Sequence, residues 1–204
     1  SGTVPTARLG SGTASSSTFL RGDNSWATPT GTGAWQLIGT SVASNSATLD
    51  ITGLDSTYDT YALVGSDLVP ASDGVNGWLR VGDSSGVDSG GSDYKFHFSN
   101  VTSSSTSYAA NATTGSNRMQ LMQVSGNAAG EGGGFMLHLH RPGDGTTKPL
   151  ISGTWAVQDD SGLLRAGYAF GMRDAVITLD RAQFLFSAGN VTSGRFSVYG
   201  IKHT

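Results

Sequence analysis

Between Trp35 and Ile201 the chain is cut into about a dozen short apolar runs, and each ends in Gly, Asn, Asp or Ser. They are Trp35-Ile38, Ala47-Ile51, Thr60-Leu68, Trp78-Val81, Tyr94-Phe98, Met119-Val124, Phe135-His140, Ile151-Val157, Leu163-Phe170, Ala175-Leu179, Gln183-Phe186 and Phe196-Ile201. Runs this short leave no room for a helix of several turns, whereas a half-buried strand needs only this much. The period agrees. In Tyr94-Lys-Phe-His-Phe98 the aromatics occupy one face and Lys95 with His97 the other. In Phe135-Met-Leu-His-Leu-His140, Phe135, Leu137 and Leu139 oppose Met136, His138 and His140. Composition points the same way: 30 Gly, 28 Ser and 22 Thr account for 80 of 204 residues. Gly costs about 1 kcal/mol in a helix interior, and Ser and Thr compete for its backbone hydrogen bonds. The expected fold over residues 34–204 is therefore all-β, an antiparallel sandwich of jelly-roll type. The pieces Ser84-Ser92 and Thr102-Ser107 read as long exposed loops, within wider loop regions 83–93 and 102–117.

Residues 1–33 behave differently. Val4, Leu9, Phe19, Leu20 and Trp26 are their large apolar groups, too widely spaced to close a core in one chain. Ala27-Thr-Pro-Thr-Gly-Thr-Gly33 is a linker, which sets the boundary between residues 33 and 34. Three copies wound together would bury Leu9, Phe19, Leu20 and Trp26 against one another, so a homotrimeric extended stem is one expectation and a disordered linker the other. Outward apolar groups, Val176 beside Ile177 and Tyr199 beside Ile201, add the expectation that a neighbour covers one outer sheet face. The chain starts at Ser1 without an initiator Met, which reads as a fragment or processed product.

Charge narrows the partners. Charged residues are 13% and the net charge is −3, with no Lys/Arg cluster, so no nucleic acid is expected as a partner. No apolar span of about 20 residues exists, so no membrane insertion through a helix is expected either. Cysteine is absent, which removes disulfides and thiolate metal sites.

Residues 7–27, Ala-Arg-Leu-Gly-Ser-Gly-Thr-Ala-Ser-Ser-Ser-Thr-Phe-Leu-Arg-Gly-Asp-Asn-Ser-Trp-Ala, resemble a linker that recurs in tailed-bacteriophage fibre and spike proteins. Asn24-Ser25 departs from the commoner Gly-Thr. The stretch Phe184–Asn190 with Ser193–Ile201 is similar to the terminal strand pair of many phage virion proteins, which end in a Tyr-Gly-Ile-like tripeptide. The resemblance implies a homotrimer on the virion surface, joined to other virion proteins through the N-terminal segment and carrying a β head on a thin stem. It also implies that Arg21-Gly-Asp23 belongs to the linker rather than to an integrin ligand. The sequons at Asn100, Asn111 and Asn190 matter only in a chain secreted by a eukaryote.

Within that frame two functions are expected as alternatives. In one, the head attaches to a host-surface receptor, a glycan or protein. Trp78, Tyr94 and Tyr108, which flank the polar loops, are the candidate contacts, with Asp88 and Asp93. In the other, the chain is a structural capsid head fibre, decoration or cement protein. His138-Leu-His140 puts two imidazoles on one strand face, which either binds a metal or simply meets solvent. Long tail fibres of contractile-tailed phages carry His-x-His metal sites on their trimer axis, so the resemblance adds to the metal reading, although two His on the solvent face of a strand need no metal. His97 and His203 read as surface residues. Asp83, Asp88 and Asp93, and Asp159-Asp160, are either Ca²⁺ ligands or turn residues. Glu131, the one Glu, lies in a glycine loop with no paired carboxylate in sequence, and neither a Gly-x-Ser-x-Gly elbow nor a phosphate-binding loop occurs. The expectation is a protein that performs no catalysis and needs no cofactor.

Overall fold

The computed structural model describes residues 5, 9–28, 34–140 and 145–202, and the chain divides into two compact units, Ser1–Gly33 and Ala34–Thr204. The first unit contains local structure of its own. Strands β1 (Phe19–Leu20) and β2 (Trp26–Ala27) pair antiparallel. Their turn is built locally: Asn24 takes a left-handed φ of 60°, Asn24 N–H donates to the Arg21 carbonyl, and the Asp23 carboxylate accepts from Ser25 N–H and Oγ. Asn and Asp tolerate and close such turns without tertiary help. Ser11 then lies beside this hairpin, donating to the Asn24 carbonyl and accepting from Trp26 N–H. The hairpin hides little, however. Leu9, Phe19 and Leu20 remain exposed and Trp26 is half-buried, so burial within the unit is incomplete.

The second unit contains β3 (Trp35–Val42), β4 (Leu49–Thr52), β5 (Thr60–Pro70), β6 (Val75–Asp83), β7 (Gly86–Val87), β8 (Tyr94–Thr102) and β9 (Ala109–Ser116). After these come β10 (Met119–Ser125), β11 (Gly132–His140), β12 (Leu150–Gln158), β13 (Leu164–Arg173), β14 (Arg181–Phe186) and β15 (Val191–Ile201). No helix occurs among the described residues. One sheet has eight strands in the order β3-β15-β5-β11-β12-β13-β8-β9. The other has the order β10-β6-β14-β4, with β7 on β6.

The pairings reveal how the chain is wound. Setting aside β3, β7, β12, β13 and β15, eight strands remain. The first pairs with the last (β4 with β14), the second with the seventh (β5 with β11), the third with the sixth (β6 with β10), and the fourth with the fifth (β8 with β9). That is one long antiparallel hairpin rolled up on itself, the jelly roll expected from the sequence. The hairpin β12–β13 is inserted between β11 and β8, and β3 with β15 extends the opposite edge.

Aromatic side chains bridge the two sheets. Phe135 on β11 meets Phe184 on β14 across the sheets at 5.5 Å between ring centroids, while within the eight-stranded sheet Phe135 lies 6.0 Å from Phe196 on β15 and Phe98 on β8 stacks on Trp155 on β12 at 5.6 Å. Fully burying side chains of this size stabilises by roughly 1.5–3 kcal/mol each. Gly65 on β5 makes room for them, since a Cβ there would stand 2.5 Å from the Phe135 ring.

Two expectations about elements are corrected. Ala175–Leu179 is not a strand: Leu179 is buried, but the segment finds no ladder partner and runs irregularly into β14. Residues 102–117 are not all loop, because Ala109–Ser116 forms the edge strand β9 on β8 despite having no apolar alternation.

Candidate functional site

The residues named from sequence as receptor contacts separate into buried and accessible groups. Tyr94 starts β8 with its ring in the core and no exposure. Its hydroxyl accepts from Val81 N–H at 2.9 Å and lies 2.8 and 2.9 Å from the Val81 and Asp88 carbonyl oxygens. Burial pushes its pKa upward. Tyr94 therefore pins the loop before β8 to β6, and as a receptor contact it is corrected. Asp88 and Asp93 belong to the same construction. Arg173, at the end of β13, bonds the Asp88 carboxylate at 2.7 Å and lies 3.3 Å from that of Asp93. Their charges are spent inside the fold, which corrects both as free receptor contacts and as a calcium cluster. Asp83 accepts from Ser85 N–H and Oγ, a turn-closing role.

Trp78 projects from the outer face of β6, half-buried, with the Arg118 guanidinium carbon 3.8 Å from its ring centroid. A cation on the ring face occupies the surface on which a sugar or side chain would stack. Trp78 thus supports Arg118 rather than offering its own face. Tyr108, just before β9, is 61% exposed and is the one aromatic candidate left free.

What lies between β9 and β10 was missed by sequence reading. Asn111, Thr113 and Ser116 from β9, Asn117 and Arg118 from the turn that follows, and Gln120 from β10 line a concavity of about 560 Å³, with Ser89 and Phe96 at its side. Two guanidinium groups converge on Asn117. Arg80 Nε donates to its carbonyl at 3.1 Å, and Arg118 Nη1 donates to its side-chain oxygen. Burial, and then the neighbouring charge of Arg80, hold the Arg118 pKa below its ordinary value. Among the described residues no carboxylate lies within ion-pair distance of either arginine. The concavity therefore presents amides and hydroxyls that both donate and accept, beside spare charged donors. That chemistry suits sugar hydroxyls and an acidic substituent. The signal available in sequence was the Asn117-Arg118 pair between two strands, but β9 had to be recognised as a strand first.

His138 and His140 do stand together on β11, rings 6.2 Å apart and nearly parallel, with His140 Nε2 2.9 Å from Ser152 Oγ. Burial and then His138 hold the His140 pKa below its ordinary value. Among the described residues no third His, Asp or Glu joins them in a metal-holding group. His97 is exposed and faces Phe170, and His203 lies outside the described residues. Asp159 is buried. Burial raises its pKa, but bonds from Leu163 N–H, Arg165 and Ser161 N–H outweigh that and the net direction is down. It closes the β12–β13 turn, while Asp160 is exposed. Glu131 accepts from Ala128 N–H across its own turn and shares a cleft with Asp67, which faces Arg195.

Comparison with protein-family models, with curated proteins and with solved structures finds no match.

Proposed function

We propose that this chain is a bacteriophage virion fibre or spike protein whose head, residues 34–204, attaches to a host-surface glycan. The observation that carries the reading is the polar concavity between β9 and β10, lined by Asn117, Gln120 and the carboxylate-free Arg118, with Arg80 bonding the Asn117 carbonyl behind it. Binding sites are commonly built this way, from loop-end residues on a stiff scaffold. The linker-like residues 7–27 support placement on a virion, and three heads on one homotrimeric stem would convert weak single sites into useful avidity. The role is binding rather than turnover, at the virion surface. The exposed Leu9, Phe19 and Leu20 favour an assembly role for the leader, toward its own copies and other virion proteins. A purely structural head-fibre, decoration or cement role is the second reading on that ground.

A glycan array probed with the full chain separates the two. Retention of carboxylate- or phosphate-bearing glycans is expected. Arg118→Gln should weaken it about tenfold, the scale of one charge-assisted hydrogen bond, with an unchanged circular-dichroism spectrum. If no glycan is retained, or the variant retains all of them equally, attachment through this groove is abandoned for the structural role.

A further inference from the structure

We infer that the outer face of the eight-stranded sheet is an interface covered by a second copy of this chain. The inference is independent of what the groove binds. Along that face Trp35, Leu37, Met136, Leu150, Tyr168 and Phe170 are each between 40% and 53% exposed. The ladder registers place them on one surface. Phe170 on β13 lies across from Ser152 on β12, Ser152 from His138 on β11, and His138 from Ala62 on β5. Ala62 faces Tyr199 on β15, and Tyr199 faces Leu37 on β3. One row therefore runs from β13 to the β3 edge. Trp35 packs against Tyr199 at 5.9 Å between ring centroids. At about 150–250 Å² for a large side chain, the six leave on the order of 500 Å² of apolar surface in water. The largest apolar patch on a monomeric protein is about 300–600 Å² and is often functional, and a stable interface takes about 800 Å² from each partner, apolar and polar surface together. The interleaved Ser152, Thr154 and His138 supply the remainder.

Three features select a copy of the same chain as the occupant. The outward positions of β11, β12 and β13 carry no Asp, Glu, Lys or Arg, so identical faces meet without like-charge repulsion. Of the charges bordering the face near strand ends, Lys95 is paired with Asp174 at 2.8 Å and Arg195 lies 3.9 Å from Asp67. A foreign partner selected by charge would find none to read at the outward positions of β11, β12 or β13. Large and small residues alternate along the row, Phe170 then Ser152, His138 then Ala62, which lets two such faces interdigitate. Finally, the leader ends next to Trp35 in sequence and carries its own exposed Leu9, Phe19 and Leu20. Association of either surface between copies raises the effective concentration of the other.

The test is sedimentation equilibrium of the full chain across micromolar concentrations, for the wild type, for Phe170→Glu and for Thr52→Glu as an exposed control outside the face. The wild type and the control should run as multiples of 21.0 kDa, and Phe170→Glu should need at least about tenfold more protein to assemble. Because the chain has no cysteine, a spin label at Thr154→Cys reports the same face, and its spectrum should broaden on assembly. A wild type that stays monomeric overturns the inference. So does an assembly that Phe170→Glu leaves intact while the Thr154 label stays mobile, since the leader alone would then join the copies.

Discussion

Replacing Arg173 by Met tests whether the loop region 83–93 is a pinned structural element or a free recognition loop. The guanidinium holds the Asp88 carboxylate at 2.7 Å, the Asp93 carboxylate at 3.3 Å and the Asp93 carbonyl at 3.1 Å, and its carbon lies 5.9 Å from the Tyr94 ring centroid. Met keeps an apolar stem against that ring and deletes only the charge and the donors. Breaking a fully buried pair costs about 3–5 kcal/mol, whereas an exposed pair is worth about 0–1 kcal/mol. Here the arginine side chain is 12% exposed and the carboxylates about a quarter, so the loss falls between those limits, at about 2 kcal/mol. For a domain of this size each kcal/mol moves Tm by about 2–4 °C, giving a fall of about 4–8 °C in a thermal melt followed by circular dichroism. In urea, Asp88→Asn combined with Arg173→Met should cost about 1 kcal/mol less than the two single losses added together, because each single variant strands the other's charge. A loss under about 0.5 kcal/mol with additive singles would refute the pinned-loop account and return Asp88 and Asp93 to the surface as available contacts.

Three further outcomes are expected. Tyr94→Phe leaves the buried Val81 N–H without its acceptor and should lower the urea-derived stability by about 1–3 kcal/mol; an unchanged midpoint would mean that water replaces the hydroxyl. Gly65→Ala drives a methyl into the Phe135 ring and should cost about 1–3 kcal/mol by overpacking, which the same titration measures. Hydrogen bonds from Lys148 and then Lys95 hold the Asp174 pKa down to about 2, from an ordinary 3.8. Since the folded value is the lower one, its stabilising contribution is whole above about pH 4 and is lost as the pH falls toward 2. Urea midpoints across that window should fall less steeply in Lys148→Gln than in the wild type.

Period-two alternation in short runs was enough to specify strands, because burial of one face of a pleated sheet is a local property of the residues that supply it. Hence Phe135, Leu137 and Leu139 could be assigned to the core from sequence, and the structure buries all three. Ala175–Leu179 shows the limit of the rule: it is apolar enough to bury Leu179, but a strand also needs a ladder partner, and the segment forms none. β9 shows the converse. Ala-Asn-Ala-Thr-Thr-Gly carries no apolar pattern and becomes a strand because β8 offers it an open edge. The groove depends on that pairing, so Arg80, Asn117 and Arg118 could not be grouped while residues 102–117 read as loop. Tyr94, Asp88 and Asp93 looked like an exposed polar loop for a related reason. Arg173, which bonds Asp88, lies 85 residues further along the chain, and an ion pair between distant residues leaves no periodic trace in sequence. The rolled order of the strands is likewise a tertiary decision. Any of these runs satisfies its backbone equally well beside several others, and only the joint burial of Phe135, Phe184 and Phe196 between two sheets selects one pairing among them.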